Sequence, residues 1–230
     1  MIFDPIYFVF IVPALLLSLW ASFRTKSAFN KYSRVPTANG QTGAEAAARL
    51  LASAGLSDVK ILRAQGMLTD HYNPANRTLN LSQGVYDSRS VAAVGVAAHE
   101  AGHAIQHKEH YRPLGIRSML VPTANIGSSL GYIVMLIGLF ISSTNMILVG
   151  AVLFSAVLLF QIVTLPVEFD ASRRAKVLLV EHGIITGPER TGVDRVLDAA
   201  ALTYVAAAVS SLMTLLYFLF RAGVFGGRRN

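Results

Sequence analysis

The sequence predicts a mainly α-helical membrane protein, in which four transmembrane helices accompany a small α+β module on the cytoplasmic side. Three observations support this fold class: a very apolar composition, three long stretches without charged residues, and one polar loop with the pattern of a folded module. Hydrophobic residues make up 53% of the chain and charged residues only 14%. This composition is too apolar for a soluble domain, so much of the apolar surface must face lipid.

The apolar stretches contain no Asp, Glu, Lys or Arg and cover residues 5–23, 118–167 and 199–220. A bilayer core needs about 20 helical residues, so the outer two stretches hold one span each and the middle stretch holds two. Polar residues at 142–145 predict the turn of a helical hairpin in the middle stretch. The alternative for the first stretch is a cleaved signal peptide, but it is long and Asp4 precedes it without any Lys or Arg. We therefore expect an uncleaved anchor.

These stretches predict the organisation of the whole chain. The expected segments are a first transmembrane helix (1–23), a cytoplasmic module (24–117), a transmembrane hairpin (118–167), cytoplasmic helices (168–198), and a fourth transmembrane helix with a tail (199–230).

The charge distribution predicts the orientation in the membrane. The net charge is +7, and twelve Lys or Arg residues lie in the first loop, five in the second and three in the tail. Basic residues are enriched in cytoplasmic loops, so both loops should face the cytoplasm as parts of a multi-pass membrane protein. Arg221, Arg228 and Arg229 in the tail oppose this orientation but are outnumbered. Nucleic acid is not expected as a partner, because no compact basic run with interleaved aromatic residues occurs.

The first loop has the pattern of a small α+β fold. Residues 42–54 predict a short helix ending at a glycine, and residues 59–62 and 77–81 predict strands, of which the second could be an exposed edge able to pair with an extended peptide. Asp87 or Ser88 is expected to cap the helix that follows. That helix contains the strongest chemical motif of the chain.

The motif is His99-Glu100-Ala101-Gly102-His103, the H-E-x-x-H pattern. Residues four apart lie on one face of a helix, so both imidazoles can hold one ion. The chain has no cysteine, so the ligands must be His, carboxylate or water, and zinc suits this set. The pattern predicts one Zn²⁺ per chain, with Glu100 as the base that deprotonates an attacking water. Small residues around the motif leave room for a partner helix.

A catalytic zinc needs a third protein ligand. The metzincin pattern would require Gly and His at positions occupied by Gln106 and Glu109, so that class is excluded. The gluzincin pattern needs a glutamate on a later helix, and Glu168 fits best because it ends a 50-residue stretch without charges. The alternative is an interfacial carboxylate paired with Arg173 or Arg174.

Other donors fit less well. Asp170 points to another side of the helix, and His107 lies too far along a straight helix to complete a tetrahedron. His107 and His110 are expected to support the ligands or to face solvent. Pro166 is expected to break or restart the helix that carries Glu168.

Several segments together resemble the YugP-type family of bacterial membrane zinc metallopeptidases. They are residues 99–107 (H-E-A-G-H-A-I-Q-H), 70–74 (D-H-Y-N-P), 79–82 (L-N-L-S), 166–172 (P-V-E-F-D-A-S) and 199–206. The family is similar in layout to integral-membrane gluzincins such as the CAAX prenyl protease group. The resemblance implies a gluzincin-like module, metallopeptidase activity, His99 and His103 as ligands, Glu100 as base and Glu168 as third ligand.

The sequence departs from the family pattern at two places. Gluzincins usually carry Asp four residues after the ligand Glu, and Ser172 stands there, so Asp170 could supply the missing support. Asn73 stands where the family pattern has Asp. His71 or Tyr72 could stabilise the oxyanion of the reaction, or the turn that contains them could simply pack under the predicted edge strand.

The expected function is zinc-dependent hydrolysis of peptide bonds in membrane-proximal or unfolded polypeptides. Its partners would be the peptide or protein substrate and the lipid bilayer, with a homo-oligomer or a membrane protease complex also compatible. The alternative is a non-catalytic membrane scaffold or protease-complex adaptor with a structural zinc, which would have four protein ligands. A third option is hydrolysis of a non-peptide amide or ester.

Overall fold

The computed structural model describes residues 4–225, so Arg228 and Arg229 of the tail lie outside the described residues. This part of the chain forms helices and a small sheet in the order α1 (Pro5–Tyr32), α2 (Gly43–Ser53), β1 (Lys60–Ala64), β2 (His71–Asn73), β3 (Thr78–Ser82), α3 (Gln83–Tyr86), α4 (Val91–Lys108), α5 (Arg112–Ile126), a π-helical turn (Gly127–Gly131), α6 (Tyr132–Phe140), α7 (Thr144–Glu181) and α8 (Gly187–Arg221). The predicted mainly helical fold with a small sheet is confirmed.

Four helical segments within residues 4–225 are long and apolar enough to cross a membrane. They are α1, the continuous segment from α5 to α6, α7 and α8, which agrees with the four predicted spans. In the most apolar part of each, no more than 22% of the residues are buried by the protein itself. The remaining apolar side chains need lipid around them.

The chain divides into two compact units. The apolar unit comprises residues 4–21, 115–165 and 203–225, and the α+β unit comprises residues 22–114 and 166–202.

A helical hairpin forms part of the apolar unit. Helix α6 ends at Phe140 and α7 begins at Thr144, with Ser142 at a φ of 55° in between, so the turn lies where the polar residues predicted it. The two helices approach closely, because a Cβ atom added to Gly150 would lie 2.6 Å from the backbone nitrogen of Met135. Small residues at such contacts are typical of membrane helices.

The sheet of the α+β unit has the strand order β1-β3-β2, in which β1 is parallel and β2 antiparallel to β3. The prediction that residues 77–81 form an exposed edge is therefore wrong, and this strand is not available to pair with a peptide. Leu79 and Leu81 are fully buried, but Thr78 and Ser82 are also buried. The alternation of leucines correctly indicated one buried face, but it carries no information about where the strand lies in the sheet.

Hydrogen bonds at the helix ends explain two boundaries. Thr42 and Glu45 form a reciprocal capping box at the start of α2, with bonds of 3.1 and 2.8 Å. Helix α4 is capped by Ser90, whose hydroxyl accepts from the backbone of Ala93, rather than by Asp87 or Ser88 as predicted. Asp87 accepts hydrogen bonds from Arg63 instead, and the hydroxyl of Ser88 donates to the hydroxyl of Ser90.

Helix α7 runs through Pro166 without interruption over 38 residues. The prediction that Pro166 breaks or restarts the helix is therefore wrong. Proline removes only one backbone donor, and the hydrogen bonds on both sides of it hold the helix together, as is common in membrane helices. Glu168 consequently lies in the second half of a continuous helix.

Candidate metal centre

Three side chains of the α+β unit converge at one point: His99 and His103 from α4, and Glu168 from α7. The carboxylate oxygen Oε2 of Glu168 lies 3.2 Å from Nε2 of His99 and 3.5 Å from Nε2 of His103. Within residues 4–225 they form the one group of three or more His, Cys, Asp or Glu donors close enough to share a cation, with all ligand atoms within 4.8 Å of one another.

The spacing of these atoms fits a zinc ion. Ligands that lie about 2.0–2.1 Å from a tetrahedral zinc are about 3.3 Å apart, which falls between the two measured separations. Imidazole nitrogen and carboxylate oxygen are also ligands that zinc prefers. Donor chemistry and spacing therefore agree.

A close helix contact brings the three donors together. A Cβ atom added to Gly102 would lie 2.8 Å from the carbonyl oxygen of Ala171, so the backbones of α4 and α7 touch at this position. Ala98 and Ala101 beside it are buried. The small residues of the motif thus leave room for a partner helix, as the sequence predicted, and Glu168 lies less than one turn before the contact.

Gln106 fixes the proton on the imidazole of His103. Its Nε2 donates to the carbonyl oxygen of Val167 and to Oδ2 of Asp170, each at 2.9 Å, so the amide orientation is determined by two acceptors. The amide oxygen Oε1 then faces Nδ1 of His103 at 3.0 Å and must accept a hydrogen bond from its N–H group. Nε2 of His103 then carries no proton, and its lone pair is available on the side of Glu168.

The hydrogen-bond chain continues beyond Gln106. Asp170 also accepts from Arg173 and, at 2.5 Å, from Nε of Arg174. Nη1 of Arg174 lies 2.6 Å from a carboxylate oxygen of Glu109 at the end of α4. Asp170 is therefore linked to His103 through Gln106, and its carboxylate hydrogen-bonds to Gln106 and the two arginines.

The other histidine has a different support. Nδ1 of His99 lies 3.1 Å from the hydroxyl oxygen of Ser172, which occupies the position where gluzincins usually carry Asp. When Nδ1 carries the proton, its N–H donates a hydrogen bond to the hydroxyl oxygen, and the lone pair of Nε2 is available to a metal. A neutral hydroxyl is a weaker acceptor than a carboxylate, so it polarises this imidazole less.

The electrostatics of the group favour a positive charge. Burial by itself lowers the pKa of His103, but the hydrogen bond to Glu168 and the negative charges of Glu100 and Glu168 outweigh burial, and the pKa lies above its ordinary value. A proton and a divalent cation therefore compete for the same nitrogen.

Glu100 lies beside the donor group, and a backbone group of the sheet holds its side chain in place. Its side chain is buried, and its Oε2 accepts a 3.0 Å hydrogen bond from the backbone nitrogen of Tyr72 on β2. One carboxylate oxygen is thus oriented by a backbone donor, which restrains the position that a base would need.

The side chains of His71 and Tyr72 have other partners. The Tyr72 hydroxyl lies 2.9 Å from Nδ1 of His107. His71 is exposed, and its Nδ1 donates to the carbonyl oxygen of Thr69 at 2.8 Å. A neutral His71 therefore has no second N–H, and it could donate to an oxyanion only as an imidazolium.

The remaining candidate ligands lie outside the donor group in the part of the chain that the structure describes. His107 pairs with Tyr72, Asp170 is bound by Gln106 and two arginines, and His110 follows the end of α4 at a φ of 52°. The group thus offers three protein ligands rather than four. A zinc bound there would retain an open position, as catalytic sites do.

The contact of Gln106 with His103 was not predicted from the sequence, where Gln106 served only to exclude the metzincin pattern. A signal was present, because Gln106 follows His103 by three residues and lies on the same face of the helix. Its two acceptors come from α7, however, and a tertiary contact of this kind has no signature in local spacing.

Comparisons with known proteins agree with one another. A family model with the description "Putative neutral zinc metallopeptidase" matches residues 7–223. The chain is also 49% identical over 213 residues, which is 92% of this chain and 95% of the relative, to the protein named "Putative membrane protease YugP" of Bacillus subtilis (strain 168). No solved structure matches the chain significantly.

Proposed function

The chain belongs to the family described as "Putative neutral zinc metallopeptidase", and from this premise we propose that it is a membrane-embedded, zinc-dependent peptidase. The observation that carries the proposal is the convergence of His99, His103 and Glu168 at the spacing of zinc ligands, with Glu100 beside them. The substrates would be membrane-proximal or unfolded polypeptides.

Each residue has a distinct role in the proposed reaction. His99, His103 and Glu168 hold one zinc ion per chain, with the donor nitrogens selected by Ser172 and Gln106 on the opposite side of each ring. The zinc ion would supply Lewis acidity, which lowers the pKa of water and polarises a peptide carbonyl. Glu100 accepts the proton of the attacking water and then delivers it to the leaving amine.

The position of the site in the cell is also part of the proposal. The excess of Lys and Arg in the two polar loops supports an active site on the cytoplasmic side of a bacterial plasma membrane. The α+β unit would then act as a gluzincin-like module. Membrane anchoring restricts the site to polypeptides near the bilayer, whether the chain acts alone, as a homo-oligomer or within a protease complex.

The open metal position favours an enzyme over the adaptor. A structural zinc would use four protein ligands, whereas His107, His110 and Asp170 lie outside the donor group among the described residues. The oriented carboxylate of Glu100 favours hydrolysis in the same way, since a structural site has no need of a base. Hydrolysis of a non-peptide amide or ester would use the same residues, so the reaction products must distinguish it.

The test compares Glu100→Gln and Glu168→Gln in the full chain reconstituted in lipid nanodiscs. Zinc content is measured by elemental analysis, and cleavage of an unfolded protein by mass spectrometry of the new termini. We expect Glu100→Gln to keep one zinc per chain and lose activity by about 10²- to 10⁴-fold, the usual contribution of a general base. Glu168→Gln should lose zinc and activity together.

The matched control is Glu181→Gln, which makes the same change at an exposed position of α7, the helix that carries Glu168. It should retain zinc and activity. Cleavage by Glu100→Gln at the wild-type rate would refute the role of Glu100. A wild-type protein that binds zinc but cleaves no peptide bond would refute the peptidase, and cleavage of esters alone would favour the non-peptide reaction.

A further inference from the structure

The apolar unit contains a cavity that is independent of the metal centre. Its volume is about 440 Å³, within the range of roughly 300–1,000 Å³ that small-molecule sites occupy. It lies between the beginning of α1, helix α6 and the end of α8. No residue of the metal centre lines it, so the proposed peptidase reaction leaves it without a role.

Most of the cavity wall is apolar and aromatic. Tyr7 and Tyr217 pack edge to face with ring centroids 5.1 Å apart, and Tyr132 packs against Phe218 at 5.9 Å in the same way. Leu136 completes the wall on the α6 side. These interlocked rings form a fixed surface for an apolar part of a ligand.

A carboxylate is fixed at the wall of the cavity. Oδ1 of Asp4 accepts from the backbone nitrogen of Ile6 at 3.0 Å, and Oδ2 accepts from the hydroxyl of Tyr217 at 3.0 Å. The two bonds, one from α1 and one from α8, orient the carboxylate. A negative charge is thus held in place at the edge of an apolar cavity, where it can attract a cationic group.

The guanidinium of Arg221 lies next to this carboxylate and has N–H donors that are not used in binding it. Nη1 of Arg221 is 3.5 Å from Oδ2 of Asp4, longer than the about 2.7–2.9 Å of a charge-assisted hydrogen bond. No other polar contact of the Arg221 side chain occurs within residues 4–225. The planar fork of donors matches the oxygens of a phosphate group, which arginine binds in preference to lysine.

We propose that this cavity binds the head group of a phospholipid that carries a primary ammonium. The phosphate binds Arg221, the ammonium lies against Asp4, and the glycerol end follows the wall formed by Tyr7, Tyr132 and Tyr217. The negative charge of Asp4 and the positive charge of Arg221 match a zwitterionic head group, whereas Asp4 would repel a purely anionic head group. A trimethylammonium group cannot donate a hydrogen bond to the carboxylate, so the site distinguishes ethanolamine from choline lipids.

The experiment measures lipid retention by native mass spectrometry of the full chain. The delipidated protein receives equal amounts of phosphatidylethanolamine and phosphatidylcholine with identical acyl chains. We expect one retained ethanolamine lipid per chain, preferred over the choline lipid by at least about tenfold. Arg221→Gln should reduce retention of both lipids by about tenfold, because the phosphate loses its charge-assisted bonds.

Asp4→Asn separates the two charges of the site. It should retain phospholipid but lose the preference for ethanolamine, and Arg221→Lys should retain less lipid than the wild type because it lacks the planar fork. Arg34→Gln is the control for net charge, since Arg34 is exposed in the α+β unit, and it should behave like the wild type. Circular dichroism of each variant checks that the helices are intact.

Soluble phosphoethanolamine distinguishes a lipid site from a site for a small phosphate ester. We expect it not to displace the lipid at equal concentration, because it lacks the apolar part that the aromatic wall contacts. Equal retention of both lipids by the wild type, unchanged retention in folded Arg221→Gln, or displacement by soluble phosphoethanolamine would each overturn the proposal.

Discussion

The amide of Gln106 determines which nitrogen of His103 is available to a metal. Its fully buried side chain donates twice and accepts once, so every polar atom has a partner. We predict that Gln106→Leu weakens zinc binding by about 10- to 100-fold, the usual effect of removing such a support. Competition with a chelator of known affinity measures the change.

The control for this prediction is Gln65→Leu, which makes the same replacement at an exposed position. It should leave zinc affinity unchanged. If folded Gln106→Leu bound zinc as tightly as the wild type, the hydrogen bond to His103 would have no part in tuning the site.

Asp70 gives the fold a pH dependence that can be measured. Burial raises the pKa of its carboxyl, despite hydrogen bonds from the backbone and hydroxyl of Ser82. A group whose pKa is raised in the folded state stabilises the fold at low pH. This contribution is complete below about pH 3.9, where the unfolded chain also binds the proton, and it is lost as pH rises through the folded pKa. We therefore predict that Asp70→Asn gains stability relative to the wild type as pH rises above about 4 and through the folded pKa of Asp70.

Asp87→Asn provides the comparison of opposite sign. The hydrogen bond from Arg63 lowers the pKa of Asp87, so its contribution is present at neutral pH and is lost as pH falls through the folded pKa. Thermal unfolding at several pH values, followed by circular dichroism, measures both variants. Parallel pH profiles of Asp70→Asn and the wild type would contradict the prediction.

Much of the candidate site could be predicted from residue spacing. The four-residue interval between His99 and His103 predicted their shared helix face, and the end of the uncharged stretch pointed to Glu168. The contacts of Gln106 and Ser172 with the imidazoles could not be predicted in the same way. They depend on the relative rotation of two helices that are far apart in sequence, which no local pattern specifies.

The contact between α4 and α7 sets the geometry of the donor group at the scale of whole elements. We predict that Gly102→Ala destabilises the α+β unit by about 1–3 kcal/mol, because the added methyl would meet the carbonyl oxygen of Ala171 at 2.8 Å. Separation of the two helices should also lower zinc affinity. Thermal unfolding and chelator competition measure the two effects.

Gly84→Ala is the matched control, because a Cβ atom at that position meets nothing within 4 Å. It should leave both quantities close to those of the wild type. Unchanged stability and zinc affinity in Gly102→Ala would show that the helix contact tolerates a methyl group and does not set the distance between the donors.

Elements were predicted better than their ends. The helix at residues 42–54 and the hairpin turn follow from an Ala- and Leu-rich stretch that ends at a glycine and from a polar cluster, which are local properties. The cap at Ser90 depends on which side chains compete for the free backbone donors. The continuity of α7 depends on the hydrogen bonds on either side of Pro166, and the central position of β3 depends on the strand order. Those are decided by tertiary structure.

At the scale of the molecule, the membrane orientation can be tested because the chain contains no cysteine. We predict that Ser57→Cys in the first polar loop is protected from a membrane-impermeant maleimide in intact cells, whereas Asn145→Cys, in the first turn of α7 directly after the hairpin turn, is labelled. Both positions are exposed in the structure. The expectation rests on the excess of basic residues in the two polar loops.

Lysed cells provide the control, since both cysteines should then react equally. The reverse pattern in intact cells, with Ser57→Cys labelled and Asn145→Cys protected, would place the metal centre outside the cytoplasm and contradict the proposed localisation.

The α+β unit is assembled from residues 22–114 and 166–202, with the hairpin between them in sequence. During translation, both histidines of the proposed ligand set are therefore synthesised before the hairpin, and the glutamate after it. A nascent chain that ends within the hairpin carries both imidazoles without the carboxylate of the proposed ligand set. For the proposed peptidase, the hairpin would therefore have to be synthesised before the zinc site could be complete.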